Sequence, residues 1–596
     1  MAESADSDPP KWSLVQFALL CFYSVGFSGM TGFPFYIHNH TGMFLVAFYL
    51  LLVLICIPVC YVQIKLGSLY QRGLLGIFSH LVPILKGVAV ALLLMTFFRC
   101  LTHGLELSYG LYFMFASLRQ PFPWSDGHMN ITIREPHTIY ALTNSEDNFF
   151  VKSFLQRSDY IGTSTTLVWY ILLCLLATWT CLYFMVAWGA ATFGKILYIF
   201  TPVTFLTLTT VLIYGYVNVP GACDNLFSLF SQPSAYSTGS QSIGVISDQL
   251  GDPKVWIDSL DLHLFSLGLW SGILPTLGTH LRNKKMVMNL SWVILLVMHG
   301  MLPHLILVAL APYLGENKNE GWLANVKGVK PGLSFLFVTI PYSFEVQKLS
   351  PFISFCIYLM YFLLGLQHLS LHMLMIWENI LPSVPKRVMI FFKRPSLMFA
   401  PVCFCCFLLS FPYASQCGIY LYMILRFYID RLLFALVIFS MVPFIIGYVR
   451  QETLRMPIER LSMSLWYGLA SLISACMLIY YFVMYVYQEA VVGYDQRWAE
   501  YIGWLASIAP FILGVILGAV HAIWKAEGTL QERILQCLKA GQLPEPAGSE
   551  EYTSAETGDT MINQVKTPLQ GPEVQPLTPD VEVSIKPPEN GEVARL

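Results

Sequence analysis

Residues 22–34 read Phe22-Tyr23-Ser24-Val25-Gly26-Phe27-Ser28-Gly29-Met30-Thr31-Gly32-Phe33-Pro34, inside an apolar run that begins at Trp12. Glycine weakens a helix through backbone entropy and proline through its missing N–H, so Gly26, Gly29, Gly32 and Pro34 mark this run as interrupted. A second interruption lies far along the chain, where Ser266-Leu267-Gly268-Leu269-Trp270-Ser271-Gly272 breaks an apolar run that begins near Trp256. Unwound backbone at membrane depth is tolerated only where protein buries it or where it lines a cavity. Paired interruptions in corresponding positions of two halves point to a solute site at the bilayer midplane. Close packing of helices through glycine accounts for any one of these residues, and poorly for two clusters five spans apart.

Composition agrees with a membrane setting. The 596 residues are 56% hydrophobic and 12% charged, with a mean hydropathy of +0.60. Soluble domains carry about 25% charged residues, so this chain cannot coat a water-facing surface of its length. Apolar runs of spanning length begin near residues 12, 43, 86, 166, 192, 256, 287, 350, 396, 417, 461 and 500, which predicts twelve transmembrane helices. Basic residues gather after the sixth (Arg282, Lys284, Lys285), the eighth (Lys386, Arg387, Lys393, Arg394) and the tenth (Arg450, Arg455, Arg460). Basic loops stay in the cytoplasm, so both termini are expected there.

The expected organisation is a cytoplasmic N-terminal tail over 1–11, a twelve-helix body over 12–524 and a cytoplasmic, mostly disordered acidic tail over 525–596. A large extracellular loop over 118–165 carries the glycosylation triplet Asn130-Ile131-Thr132. From 540 onward ten acidic side chains face three basic ones, with too little apolar surface to fold. Residues 1–11 lack the basic region and cleavage site of a secretory signal, so the first span is expected to act as an uncleaved one. The 14 Cys lie mostly in apolar runs and read as small buried hydrophobes, with no disulfide pattern or metal spacing. No basic stretch suits nucleic acid, and no phosphate loop or nucleophile motif suggests an enzyme.

Several motifs in order along the chain carry a family resemblance. They include Phe33-Pro34 with Asn39-His40-Thr41-Gly42-Met43-Phe44, Pro121-Phe122-Pro123-Trp124, Gly194-Lys195-Ile196-Leu197-Tyr198 and Val219-Pro220-Gly221-Ala222. Asp252-Pro253, Trp256-Ile257-Asp258, Phe265-Ser266-Leu267-Gly268, Pro331-Gly332-Leu333-Ser334-Phe335, Gln416-Cys417-Gly418-Ile419-Tyr420 and Trp498-Ala499-Glu500 continue the series. Together they resemble the neurotransmitter:sodium symporter family, of the solute carrier family 6 type, over about residues 12–540. The resemblance implies an all-α polytopic fold, a LeuT-like inverted five-plus-five repeat with helices 1 and 6 broken.

The resemblance also marks where the chain departs from the family. Positions matching the family's ion sites are Phe22, Ser24, Val25, Gly29, Ser266, Leu364, Gln367 and His368. The family offers Asn side chains where this chain has Tyr23 and Gly29, and Asp or Thr followed by Ser where it has Gln367 and His368. A hard cation wants several oxygens, and imidazole nitrogen suits sodium poorly. The anion-site equivalents Tyr61 and Ser266 are kept, but the Gln expected four residues before Ser266 is Leu262, so chloride dependence is not expected. His103 replaces the family's substrate-binding Tyr, while Gly32 and Arg426 stand at the outer-gate positions. Lys65 is expected to snorkel toward the inner interface.

One constellation does not come from the family. Arg99, His103 and Glu106 stand at i, i+4 and i+7 on one face of the third helix. Charges at mid-bilayer are costly and should be paired, which predicts a gate of Glu106 with Arg426, about one turn outside His103, or else a static structural pair; Phe265 keeps the family's aromatic lid position.

The expected substrate set is Val25, Gly26, Ser28, Gly29, His103, Phe265, Ser266, Gly268 and Gln367. The leading expectation is a plasma-membrane secondary transporter of a small amino-acid-like or amine solute in the lipid bilayer. It needs no cofactor, with sodium or a proton as coupling ion, and a His368 whose charge follows pH would favour proton-linked or sodium-independent exchange. Neutral, hydrogen-bonded His368 is the plainer alternative for that residue. A non-transporting scaffold or chaperone, with protein partners on the C-terminal tail, is the alternative for the whole chain.

Overall fold

Asp252 accepts a hydrogen bond from the Lys254 amide (2.9 Å) and Pro253 takes the first helical position, so a capped helix runs over Pro253–Leu267. It stops at Gly268 (φ 61°), and Gly272 (φ 77°) is left-handed again before helix resumes over Ile273–Thr279. Only glycine takes both conformations without strain, and a Cβ on Gly272 would lie 2.6 Å from Leu74 Cδ2. The sixth segment is therefore broken where the sequence places the break.

The computed structural model describes residues 12–40, 42–125, 149–158, 161, 166–231, 250–269, 271–281, 285–314, 333, 335–346, 348–392, 394–450, 457–483 and 497–538. The N-terminal tail, Asn130, Trp270, Lys393 and everything past Leu538 lie outside them. Among the described residues there is no strand, and ten helices are long and apolar enough to cross a bilayer. The chain is an all-α, multi-pass membrane protein. Of the twelve expected spans, the two not among these ten are the broken sixth and the tenth, Gly418–Arg450, which carries Arg426, Asp430 and Arg431.

The first segment departs from expectation. Leu14–Thr31 is one helix, opened by a box in which Ser13 Oγ accepts from the Gln16 amide and Gln16 Oε1 from the Ser13 amide. A second helix, Phe33–His40, follows after Gly32. The interruption thus falls at Gly32, and residues 22–29 are not unwound. A Cβ on Gly26 would meet Leu364 Cδ2 at 2.8 Å and one on Gly29 would meet the Pro303 Cα at 2.9 Å. These glycines let neighbouring helices approach, the packing role that the sequence alone could not separate from unwinding.

The second segment contains a π turn, Leu52–Cys56, just before Pro58. Proline cannot donate to the helix ladder and clashes with the carbonyl four residues back, and a wide turn relieves both. Lys86–Ala116, the third segment, packs along the eighth, Pro351–Ile380, at the centre of the bundle. Beyond Lys525 a short helix covers Leu530–Leu538, a stretch expected to belong to the disordered tail.

Candidate functional site

Two helix faces build the central site. Arg99, His103 and Glu106 line one face of the third segment, and Tyr422, Arg426 and Asp430 line one face of the tenth. Their charges alternate across the interface. Glu106 Oε1 accepts from Arg426 Nη1 and from the Tyr422 hydroxyl, each at 2.5 Å. Arg426 Nε donates to Asp430 Oδ2 at 3.1 Å, and Arg99 Nη1 donates to Asp430 Oδ1. Glu106 Oε2 is 3.1 Å from His103 Nδ1. Arg99, Glu106 and Arg426 are all buried, and the alternation gives each a partner of opposite sign, as charges removed from water require.

Phe265, at the outer end of the sixth-segment break, sits between the two guanidinium groups. Its ring centroid is 4.6 Å from Arg99 Cζ and 5.7 Å from Arg426 Cζ, within cation–π range. On its outer side Glu106, Asp261, Tyr36, Thr31 and Arg426 line a cavity of about 70 Å³. On its inner side Arg99, His103, His368 and His372 line a space of about 10 Å³, room for one water.

The ring of Phe27 fills the space among the first, third and eighth segments. It lies 4.5 Å from His103, 5.4 Å from Tyr361, 5.5 Å from His368 and 6.2 Å from Phe265. His103 has both ring nitrogens on protein acceptors, Glu106 and the Gly365 carbonyl (3.2 Å). In this conformation it does not point at an open solute space. Ser28 Oγ and Ser266 Oγ are hydrogen-bonded to each other, and Gly268 caps its helix. Gln367 is fully buried with neither amide atom hydrogen-bonded among the described residues. Leu364 is buried, Phe22 is half-buried, and the side chains of Ser24 and Val25 lie outside the described residues. Since residues 22–29 are helical, the Phe22 and Val25 carbonyls lie in helix rather than in an unwound loop.

Lys65 does not snorkel. It is buried, and its ammonium donates to the Tyr61 hydroxyl at 2.6 Å, so a cation occupies the neighbourhood of this anion-site equivalent. Asp430 and Asp261 were not expected from the sequence. Asp430 stands four residues after Arg426, the same spacing that singled out Arg99 and His103.

Two His-acid contacts flank the centre. On the Asp261 side, His40 Nε2 is 2.7 Å from Asp258 Oδ2, and one turn along the Tyr36 hydroxyl donates to Asp261 at 3.1 Å, tying the first segment to the sixth. On the opposite side, His280 Nε2 is 2.7 Å from Glu378 Oε2. Trp12 stands beside this second contact, its ring 4.7 Å from His280 and its indole N–H donated to the Ala190 carbonyl at 2.8 Å.

A polytopic helical bundle with a broken sixth helix and ion pairs on both sides of the break defines the class. The chain belongs to the sodium:neurotransmitter symporter family, whose model matches residues 11–525. That is a family of transporters, not of enzymes. Among similar proteins, mouse sodium-dependent neutral amino acid transporter B(0)AT1 is 28% identical over 274 residues, 46% of this chain and 41% of the relative. Rat sodium-dependent neutral amino acid transporter B(0)AT3 is 29% identical over 283 residues, 46% of this chain and 44% of the relative. The human protein named inactive sodium-dependent neutral amino acid transporter B(0)AT3 is 27% identical over 284 residues, 46% of this chain and 43% of the relative. The chain spans less than half the length of each of these relatives.

Proposed function

We propose that this protein is a plasma-membrane secondary transporter of a small amino-acid-like solute, moved by alternating access about the broken sixth helix. The observation that carries the reading is the Glu106 to Arg426 ion pair (2.5 Å) over Phe265, a closure that must part for solute to pass between the third and tenth segments. The inner contact of His280 with Glu378 supplies a matching closure on the other side. The printed names of the relatives support neutral amino acids as the solute class.

Coupling departs from the family's name in this reading. A sodium ion needs several oxygens, and the ion-site equivalents offer helical backbone at Phe22 and Val25, hydrocarbon at Leu364, imidazole at His368 and one amide oxygen at Gln367. These residues do not fit sodium, and solute flux is expected to continue without it.

Purified protein in liposomes, screened with amino acids and amines under sodium, proton and no gradient, tests the reading. Flux that vanishes without sodium would refute the coupling argument. A second reading, a non-transporting scaffold or chaperone, draws on the Phe27 ring filling the central space. Absence of flux under every gradient, with the protein folded, would favour it. Cytoplasmic termini and a glycan on Asn130 belong to the same proposal, and epitope accessibility in intact cells and a glycosidase mobility shift test them.

A further inference from the structure

Both nitrogens of the buried His103 ring face acceptors, one the Glu106 carboxylate at 3.1 Å and the other the Gly365 carbonyl at 3.2 Å. A neutral imidazole has one N–H. With Glu106 ionised, it satisfies one of these contacts and sets a nitrogen lone pair against an oxygen lone pair at the other, at a buried position where such a mismatch is costly. An imidazolium donates to both and makes a charge-assisted bond to Glu106.

We propose that His103 is a proton-binding site, occupied in this closed state, and that the bound proton takes the place of a metal ion as the coupled cation. The proposal rests on the transporter reading for its coupling and on geometry alone for the proton.

Charged and titratable groups stand around this ring on several segments. The third segment brings Arg99 and Glu106, the tenth Arg426, Asp430 and Tyr422, and the sixth Asp261. From the eighth segment the Tyr361 hydroxyl donates to the Glu106 carbonyl at 3.3 Å, and the rings of His368 and His372 stand inward. His372 Nδ1 donates to the His368 carbonyl at 2.8 Å, so the inner imidazole is engaged with backbone. The first segment contributes the Phe27 ring and the fourth Trp179, packed at Gly104.

A route for the proton exists on the outer side. Glu106 lines the 70 Å³ cavity while its Oε2 holds His103, so a proton from water in that cavity reaches Nδ1 through the carboxylate. One N–H bond forms on the imidazole, one O–H bond of hydronium breaks, and water is left. When the His280 to Glu378 contact opens instead, water entering the space lined by His103, His368 and His372 takes the proton from the imidazolium as hydronium, so the proton leaves on the side opposite to its entry.

The test uses the full chain, labelled with ¹⁵N-histidine, in lipid bilayers. Nitrogen NMR at pH 7.5 should show an imidazolium signal that disappears on His103→Gln, which separates it from the other 12 of the chain's 13 His. Glu106→Gln should convert that signal to a neutral tautomer, and where this variant does not fold, titration of the wild-type signal from pH 6 to 9 carries the same information. A His103 ring that is neutral at pH 6 overturns the proposal.

In liposomes, an inwardly directed proton gradient of one pH unit, acid outside, should drive about tenfold solute accumulation for one proton per solute, and none in His103→Gln. Accumulation that ignores the gradient in the wild type overturns the coupling while leaving the transporter reading intact. An imidazolium at His103 together with no flux under any gradient leaves the proton site standing and removes the transporter reading.

Discussion

His280 and Glu378 meet at 2.7 Å, Nε2 to Oε2, joining the inner arm of the broken sixth segment to the inner end of the eighth. With Trp12 packed on the same imidazole, this contact holds three segments together. The ion pair on the other side of the break is built differently, from guanidinium and carboxylate groups in the third and tenth segments. The two contacts therefore respond to different substitutions.

The inner contact is partly exposed, so its strength is modest. Glu378→Gln should favour inner opening by about 1 kcal/mol, roughly fivefold in population. Cys21, buried on the first segment, reports that opening. Its labelling by a membrane-permeant thiol reagent should quicken about fivefold, measured against a Cys21→Ala background. Unchanged labelling would mean that Trp12 alone holds the inner end.

Glu106→Gln strands Arg426 with Asp430 as its remaining acid partner, and Arg426→Gln strands Glu106 with His103 and Tyr422. Breaking a buried pair from one side costs about 3 kcal/mol, so each single variant should lower the melting temperature clearly. The Glu106→Gln, Arg426→Gln double variant should be milder than the sum by about 2 kcal/mol. An additive cycle would show that the two groups do not act on each other. Exchanging the two charges should rescue poorly, because a carboxylate at 426 would face Asp430.

Gly67→Ala places a Cβ 1.9 Å from the Pro275 carbonyl oxygen, between the second segment and the inner arm of the sixth. Backbone on both sides leaves nothing to move aside, and overpacking of this kind costs about 3 kcal/mol. The folded fraction on size-exclusion chromatography should fall sharply. Gly251→Ala, where a Cβ meets nothing within 4 Å, should leave it unchanged.

Sodium should not stabilise the purified protein. A ligand present at one hundred times its Kd adds about 2.7 kcal/mol to the folded state, which a melting curve resolves easily. The expected result is the same melting temperature in sodium chloride and in choline chloride. A rise of several degrees in sodium would restore a metal site to this chain.

Much of the fold was legible because the bilayer constrains it. Apolar runs of spanning length, the Asp252-Pro253 helix start and the Gly268 and Gly272 break can each be read from a few neighbouring residues. The third-helix face was equally legible, since Arg99, His103 and Glu106 follow helical periodicity within one segment. Asp430, four residues after Arg426, obeys the same rule, but its tie to Arg99 joins the third and tenth segments and has no local signature. Lys65 lies buried against Tyr61 one turn away, and which way a lysine stem turns depends on neighbours that tertiary packing supplies.

By itself the sequence determined a helical membrane protein, its segment order and a set of charges that had to be buried together. Local periodicity and transfer cost are enough for that. Only the tertiary structure decided which charges meet, that Gly26 and Gly29 serve packing rather than unwinding, that Phe27 fills the centre, and that His103 has an acceptor on each nitrogen. Those outcomes depend on contacts between residues far apart in the chain, Gly29 with Pro303, Glu106 with Arg426 and His103 with Gly365, and no local pattern specifies such distances.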